Sequence, residues 1–322
     1  MTFGKNISII SRNILFFLFL TTALIFLVFN PTSAQTEQTK GQTVKEIVIR
    51  GDVNVEEEKI LENINFSPGD VVTDEKIKEN EDLIKEMGFF EEVSTETTSR
   101  EEGLVVRYNV VENPIINEIS LSGNDIIDSK ELISVLNKEG IEAGKVLNTK
   151  ELNEGLKKIT EKYREKGYPL VAIGNVDLSE NLKIEIVEGV LKQTNVRGLV
   201  TVPKKEAFQL IEVPKGKTIK LKALQRSYQG LEKSIYFNEI NLVPRRGYER
   251  ADIILEWNLK ERMVLEEPGE FNEIELRGGT VFSKALLRDE LGKLPEGKVT
   301  NYDVLTVLSG VYNRYLESGF TE

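Results

Sequence analysis

Ile115-Ile116-Asn117-Glu118-Ile119-Ser120-Leu121-Ser122-Gly123 decides how this chain folds. The run is short, it alternates at Ile119 and Leu121 as a half-buried strand does, and it stops on a glycine. A second glycine, Gly144, follows in the turn Glu142-Ala143-Gly144-Lys145-Val146. The same pairing stands at Gly51 and Gly69, at Gly198 and Gly216, and at Gly278 and Gly297. Members of a pair lie about 20 residues apart and the pairs recur at roughly 70–80 residues, the spacing of a tandem array of small domains. Arrays of this kind bind and space other molecules more often than they catalyse.

Each unit reads outward from its glycines in the same order. The opening strands are Val44–Arg50, Ile115–Ser122, Lys192–Arg197 and Phe271–Arg277. A short helix follows, with apolar faces at Ile60/Leu61/Ile64, Leu132/Ile133/Leu136, Ala207/Leu210/Ile211 and Leu286/Leu287/Leu291. The turn at the second glycine leads into a longer helix, whose stripes Leu152/Leu156/Ile159/Tyr163, Leu221/Leu224/Tyr228/Leu231/Ile235 and Leu305/Leu308/Tyr312/Tyr315 predict a face packed on a sheet. Asn148 with Glu151, and Thr300 with Asp303, read as N-caps with an acidic third residue. These helices end at Met87-Gly88-Phe89, Lys166-Gly167-Tyr168 and Ser318-Gly319-Phe320; the third unit departs, with Tyr236-Phe237 and no glycine.

Two strands close the unit, the last alternating clearly at Leu104/Val106/Tyr108/Val110, Leu182/Ile184/Ile186 and Ile253/Leu255/Trp257/Leu259. Gly103 and Glu180-Asn181 mark the hairpin turns before it. The predicted class is α+β: small domains of order β-α-α-β-β, each with a three-stranded mixed sheet covered on one face by two helices. First and last strands pair in parallel, because a helical crossover separates them. The units span residues 43–113, 114–189, 190–264 and 270–322. The fourth holds a first strand and both helices without a closing hairpin, and we expect it to be truncated.

The N-terminus reads as an export signal. Lys5 and Arg12 precede an apolar run from Ile14 to Phe29, Asn30-Pro31 breaks it, and Thr32-Ser33-Ala34 offers a cleavage site. Residues 1–34 are thus expected to be a signal peptide and 35–42 a linker; an uncleaved anchor is the alternative. The 322 residues include no cysteine and no histidine, which removes thiol chemistry, imidazole ligands and every triad that needs His. The net charge of −11 argues against nucleic-acid binding. Carboxylate runs such as Glu56-Glu57-Glu58, Glu91-Glu92, Glu101-Glu102 and Glu266-Glu267 fall at helix starts and turns, where solvated surface explains them better than a catalytic pair does. We expect no enzyme, no metal and no cofactor.

Val44-Lys45-Glu46-Ile47-Val48-Ile49-Arg50-Gly51, Pro68-Gly69-Asp70, Glu86-Met87-Gly88-Phe89-Phe90, Tyr163-Arg164-Glu165-Lys166-Gly167-Tyr168 and Val187-Glu188-Gly189 carry a resemblance. In this order they resemble the polypeptide-transport-associated (POTRA) repeats of the BamA outer-membrane protein assembly factor family, over nearly all of the chain after Thr43. The resemblance implies a periplasmic location ahead of an outer-membrane barrel that is missing from these residues. It implies unfolded outer-membrane proteins as clients and accessory assembly lipoproteins as partners. Two further readings remain: the pore component of a two-partner or autotransporter-type secretion system, and a free-standing membrane-anchored periplasmic scaffold.

A three-stranded sheet leaves two edges, and an extended client can pair with an edge through main-chain hydrogen bonds of any sequence. By the resemblance the second strand is the open one, here Glu91–Thr97, Leu170–Leu178 and Glu239–Arg245. The middle segment is the candidate docking strand, through Leu170, Val171, Ile173 and Val176, with Gly174 permitting a bulge. Apolar strand residues are also ordinary core, so packing under the helices is the competing reading.

Overall fold

The computed structural model describes residues 41–51, 53–271 and 284–320. The expected signal peptide and nearly all of the linker lie outside these residues, as does all but Phe271 of the fourth opening strand. The first unit runs β1 (Gln42–Arg50), α1 (Glu57–Leu61), β2 (Val71–Val72), α2 (Asp74–Glu86), β3 (Phe90–Arg100) and β4 (Gly103–Glu112). The second runs β5 (Glu118–Ser122), α3 (Ser129–Lys138), α4 (Thr149–Glu165), β6 (Val171–Asp177) and β7 (Asn181–Glu188). The third runs β8 (Val190–Arg197), α5 (Lys204–Gln209), α6 (Leu221–Lys233), β9 (Phe237–Arg246) and β10 (Asp252–Glu261). β11 (Gly269–Glu270), α7 (Lys284–Leu291), β12 (Lys298–Val299) and α8 (Asn301–Glu317) follow. The class is mixed α+β, as the periodicity predicts.

The sheets have strand orders β2-β1-β4-β3, β5-β7-β6 and β8-β10-β9. In each, the closing strand sits in the middle, parallel to the opening strand and antiparallel to the second. That central place explains why it alternates most cleanly: Val106, Tyr108, Leu182, Ile184, Leu255 and Trp257 are all buried against the helices. Each unit keeps its own core. Ile60, Ile84 and Tyr108 anchor the first, Leu132, Ile159 and Tyr163 the second, and Ala207, Leu231 and Trp257 the third.

The two glycines of a pair do different work. Gly123 has φ +73°, and a Cβ there would lie 2.2 Å from the Ile186 carbonyl oxygen, so only glycine lets the strand end pass the central strand. Gly144 has φ +86° and nothing within 4 Å; its N–H donates to the Ile116 carbonyl at 2.7 Å. Gly69 donates likewise to Val44, and Gly216 to Leu191, each at 2.7 Å. The turn between the helices therefore lies along the leading end of the opening strand. In the first unit it forms β2; in the last described segment it pairs β11 with β12. The opening-strand edge is therefore covered at its leading end, which periodicity does not register because the turn bonds through its main chain.

The helix predictions hold at the caps and fail on one stripe. Asn148 Oδ1 accepts from the N–H groups of Lys150 and Glu151, and Thr300 forms a capping box with Asp303. On α6, however, Leu221 and Tyr228 are exposed and the buried residues are Ser227 and Leu231. Ser227 Oγ donates to the Ala223 carbonyl and accepts from Glu212 N–H; Asn80 holds Asn65 N–H and the Lys76 carbonyl at the same place on α2. Apolar periodicity misses both, because these buried side chains are polar and satisfied within the unit.

The units are joined helix to helix. The first N–H of α4, at Thr149, donates to the Gly88 carbonyl that ends α2, and the first N–H of α6, at Leu221, donates to the Gly167 carbonyl that ends α4, both at 2.8 Å. Each bond satisfies a donor that a helix start would otherwise leave unpaired. Ile235 takes the corresponding place in the third unit at φ +56°, and its carbonyl accepts instead from Arg262 Nε at 3.1 Å. Leu305 of α8 enters the third core, and Asn301 binds Arg262, Val264 and Leu265 main-chain groups.

Candidate docking edge

The second strands β3, β6 and β9 lie at the edge of their sheets, opposite the edge that carries the inter-helix turn. Their chemistry differs. β3 is long and polar, burying only Phe90 and Val93. β9 carries Pro244, which has no N–H to offer and faces Leu255 of the central strand. β6 is the most apolar. Its Val171, Ile173 and Val176 are half-buried and pack against the core of the second unit, while Ala172 and Asn175 are exposed.

Leu170 does not share that arrangement. It precedes β6, its carbonyl is taken by Gly189 N–H at 2.8 Å, and its side chain packs against the core of the third unit. The four candidate residues thus bridge two units: three hold β6 to its own helices, and the fourth fixes the start of the strand to the next domain.

The pairing of β6 with β7 shifts register between Ile173 and Val176, at Gly174 and Asn175. Asn175 N–H turns to the Glu185 carboxylate at 3.0 Å, and a Cβ on Gly174 would lie 2.5 Å from the same oxygen. Glu185 also pairs with Arg250 of the third unit. Its carboxyl is held below the usual carboxylate range first by the Asn175 N–H and then, against a small cost of burial, by Arg250. Sequence reasoning anticipates the bulge at Gly174 but not Glu185, which looks like any polar residue of an alternating strand.

A second set of acids also escapes the sequence. Glu112 ends β4 and accepts from the N–H groups of Val53, Asn54 and Val55, each at 2.8 Å. Glu261 ends β10 and accepts from Thr201 and Val202 N–H and from the Thr201 hydroxyl. Glu188 ends β7, where it accepts from Ile126 N–H and the Tyr163 hydroxyl. One carboxylate per unit therefore ties the loop after the opening strand to the end of the closing strand. Burial would raise the Glu112 and Glu261 carboxyls, but these bonds outweigh it and hold both below the usual range. The glutamate runs singled out by composition stay exposed, and among the described residues no cluster of three or more acids could hold a metal ion.

The family model of the surface antigen variable number repeat, POTRA, matches residues 42–113 and 114–189. The chain is 23% identical over 247 residues to the outer membrane protein assembly factor BamA of Nitratidesulfovibrio vulgaris, covering 70% of this chain and 31% of that protein. It is 28% identical over 178 residues to BamA of Buchnera aphidicola, covering 53% and 28%. It spans less than a third of the length of the curated relatives it matches. The N-terminal domain of Omp85 from Thermosynechococcus elongatus superposes with a TM-score of 0.56 at 21% identity, covering 69% of this chain and 99% of that one, a likeness of fold.

Proposed function

We propose, since the chain is a tandem array of POTRA repeats of the BamA family, that it acts as the periplasmic scaffold of an outer-membrane protein assembly factor. In this reading it receives unfolded outer-membrane proteins by strand addition and spaces accessory lipoproteins along its units. The observation that carries the reading is the asymmetry of the sheets. In the sheets of the first three units the second strand stands at one edge, while the leading end of the opposite edge is occupied by main-chain bonds to the inter-helix turn. A client strand therefore meets one open edge per sheet, interrupted on β9 by Pro244 and on β6 at Asn175, whose N–H is taken by Glu185.

The strength suits transfer. Each main-chain hydrogen bond contributes about 0.5–1.5 kcal/mol net, so a handful gives binding that releases. Edges in series raise the effective concentration of the next edge for a client held at the first. Export to the periplasm follows from the same reading.

The test uses the exposed Ala172 of β6. A photo-crosslinker at Ala172 in the full chain captures nascent outer-membrane proteins more strongly than one at Glu161 on the outer face of α4. Equal capture at the two positions sinks strand addition at β6.

A further inference from the structure

The β9–β10 hairpin tip of the third unit differs in kind from its counterparts. The first unit turns at Glu101-Glu102 and the second at Ser179-Glu180, both acidic. The third turns through Arg245-Arg246-Gly247-Tyr248-Glu249-Arg250. This is a local cation cluster on a chain whose net charge is −11. Its shape is built in: Gly247 N–H donates to the Asp252 carbonyl at 2.7 Å and Asp252 N–H to that of Glu249 at 3.0 Å. Two of the three guanidinium groups are committed, Arg245 to the buried Glu256 and Arg250 to Glu185 of the second unit. Arg246 is exposed, and its guanidinium has no partner among the described residues.

Arg246 does not stand on open surface. With Leu170, Val171, Ile173, Val187 and Ile253 it lines a groove of about 440 Å³ between β6 and the third unit. The Arg250–Glu185 pair holds the tip over this groove, and Tyr248 beside it is fully exposed. The floor is apolar over several residues of β6, and the rim offers one unneutralised cation.

We infer that this groove is a selective docking site for an extended client segment of alternating apolar residues that carries an internal acidic side chain, its carboxylate paired with Arg246. The inference rests on the reading of β6 as a client-binding edge and adds what that edge selects. Main-chain pairing alone cannot tell clients apart; a planar guanidinium at a fixed place along the strand can, because it binds a carboxylate through two N–H groups and leaves an amide less well bound. The carboxylate is that of a side chain because Arg246 lines the groove together with Val171, Ala172 and Ile173, so a segment paired by its main chain with β6 meets the guanidinium through a side chain.

Fluorescence anisotropy with the full chain tests this, using capped octapeptides that alternate Val and Thr around a central Glu or a central Gln. The Glu peptide binds about two- to five-fold tighter at low salt, the range of one exposed ion pair, and the advantage shrinks at high salt. Arg246→Gln erases the advantage and leaves the Gln peptide unaffected. Equal affinities, an advantage that survives Arg246→Gln, or an advantage seen only when a Gln peptide carries a free C-terminal carboxylate overturn the inference. If the Gln peptide binds and crosslinks at Ala172 without any preference for Glu, selectivity fails and strand addition stands. If neither peptide binds, both fall.

Discussion

Ile235 is the one described non-glycine residue at positive φ. It occupies the helix-end position that Gly88 and Gly167 hold in the units before it. A β-branched side chain in the left-handed region costs about 1–2 kcal/mol. The side chain is only half-buried, so little packing is lost by removing it. Ile235→Gly is expected to raise stability by about 1 kcal/mol, read as a higher urea midpoint at unchanged slope. The strand-end glutamates act in the opposite sense on acidification. The folded-state pKa values of Glu112 and Glu261 lie below the unfolded value, so their stabilisation is present above the usual carboxylate range and is lost as pH falls through the folded pKa. Glu261→Gln is therefore expected to lower stability near neutral pH and to flatten its decline on the acid side, as measured by urea midpoints between about pH 3 and pH 7.

At the scale of the element, the two edges of each sheet predict two kinds of amide. Val44, Ile116 and Leu191 donate to carbonyls of the inter-helix turn. Outward-facing amides of β3, β6 and β9 have no such cover. Hydrogen exchange is expected to protect the first group and leave the second exchanging fast; protected outer amides on β6 would contradict an open edge. Element order, parallel pairing and the N-caps at Asn148 and Thr300 were legible because each follows from a local rule of period or spacing. The bonds of Gly69, Gly144 and Gly216 to the opening strands were not, since main-chain partners leave no side-chain signature. Val171, Ile173 and Val176 could be read as one apolar strand; that Leu170 belongs to the next core could not, because nothing local distinguishes it from its neighbours.

Across the whole molecule, successive units are tied at the ends of their long helices, and the link to the last described segment is the most elaborate. Asn301 is 2% exposed and holds the Val264 and Leu265 N–H groups at 2.8 and 3.0 Å. Asn301→Ala strands these donors and is expected to cost about 1–3 kcal/mol locally. Limited proteolysis should then cut faster between Met263 and Glu270, with fragments of the first two units unchanged.

The junctions also have an electrical side. A helix carries partial positive charge at its start and partial negative charge at its end. Where Thr149 N–H meets the Gly88 carbonyl, and Leu221 N–H the Gly167 carbonyl, opposite poles of two macrodipoles touch without any formal charge. Where Ile235 breaks that pattern, the cation of Arg262 takes the negative pole instead. The two neutral helix contacts thus give ionic strength little to act on, whereas the end of α6, like the Arg250–Glu185 pair between the second and third units, is held by a charge that salt screens.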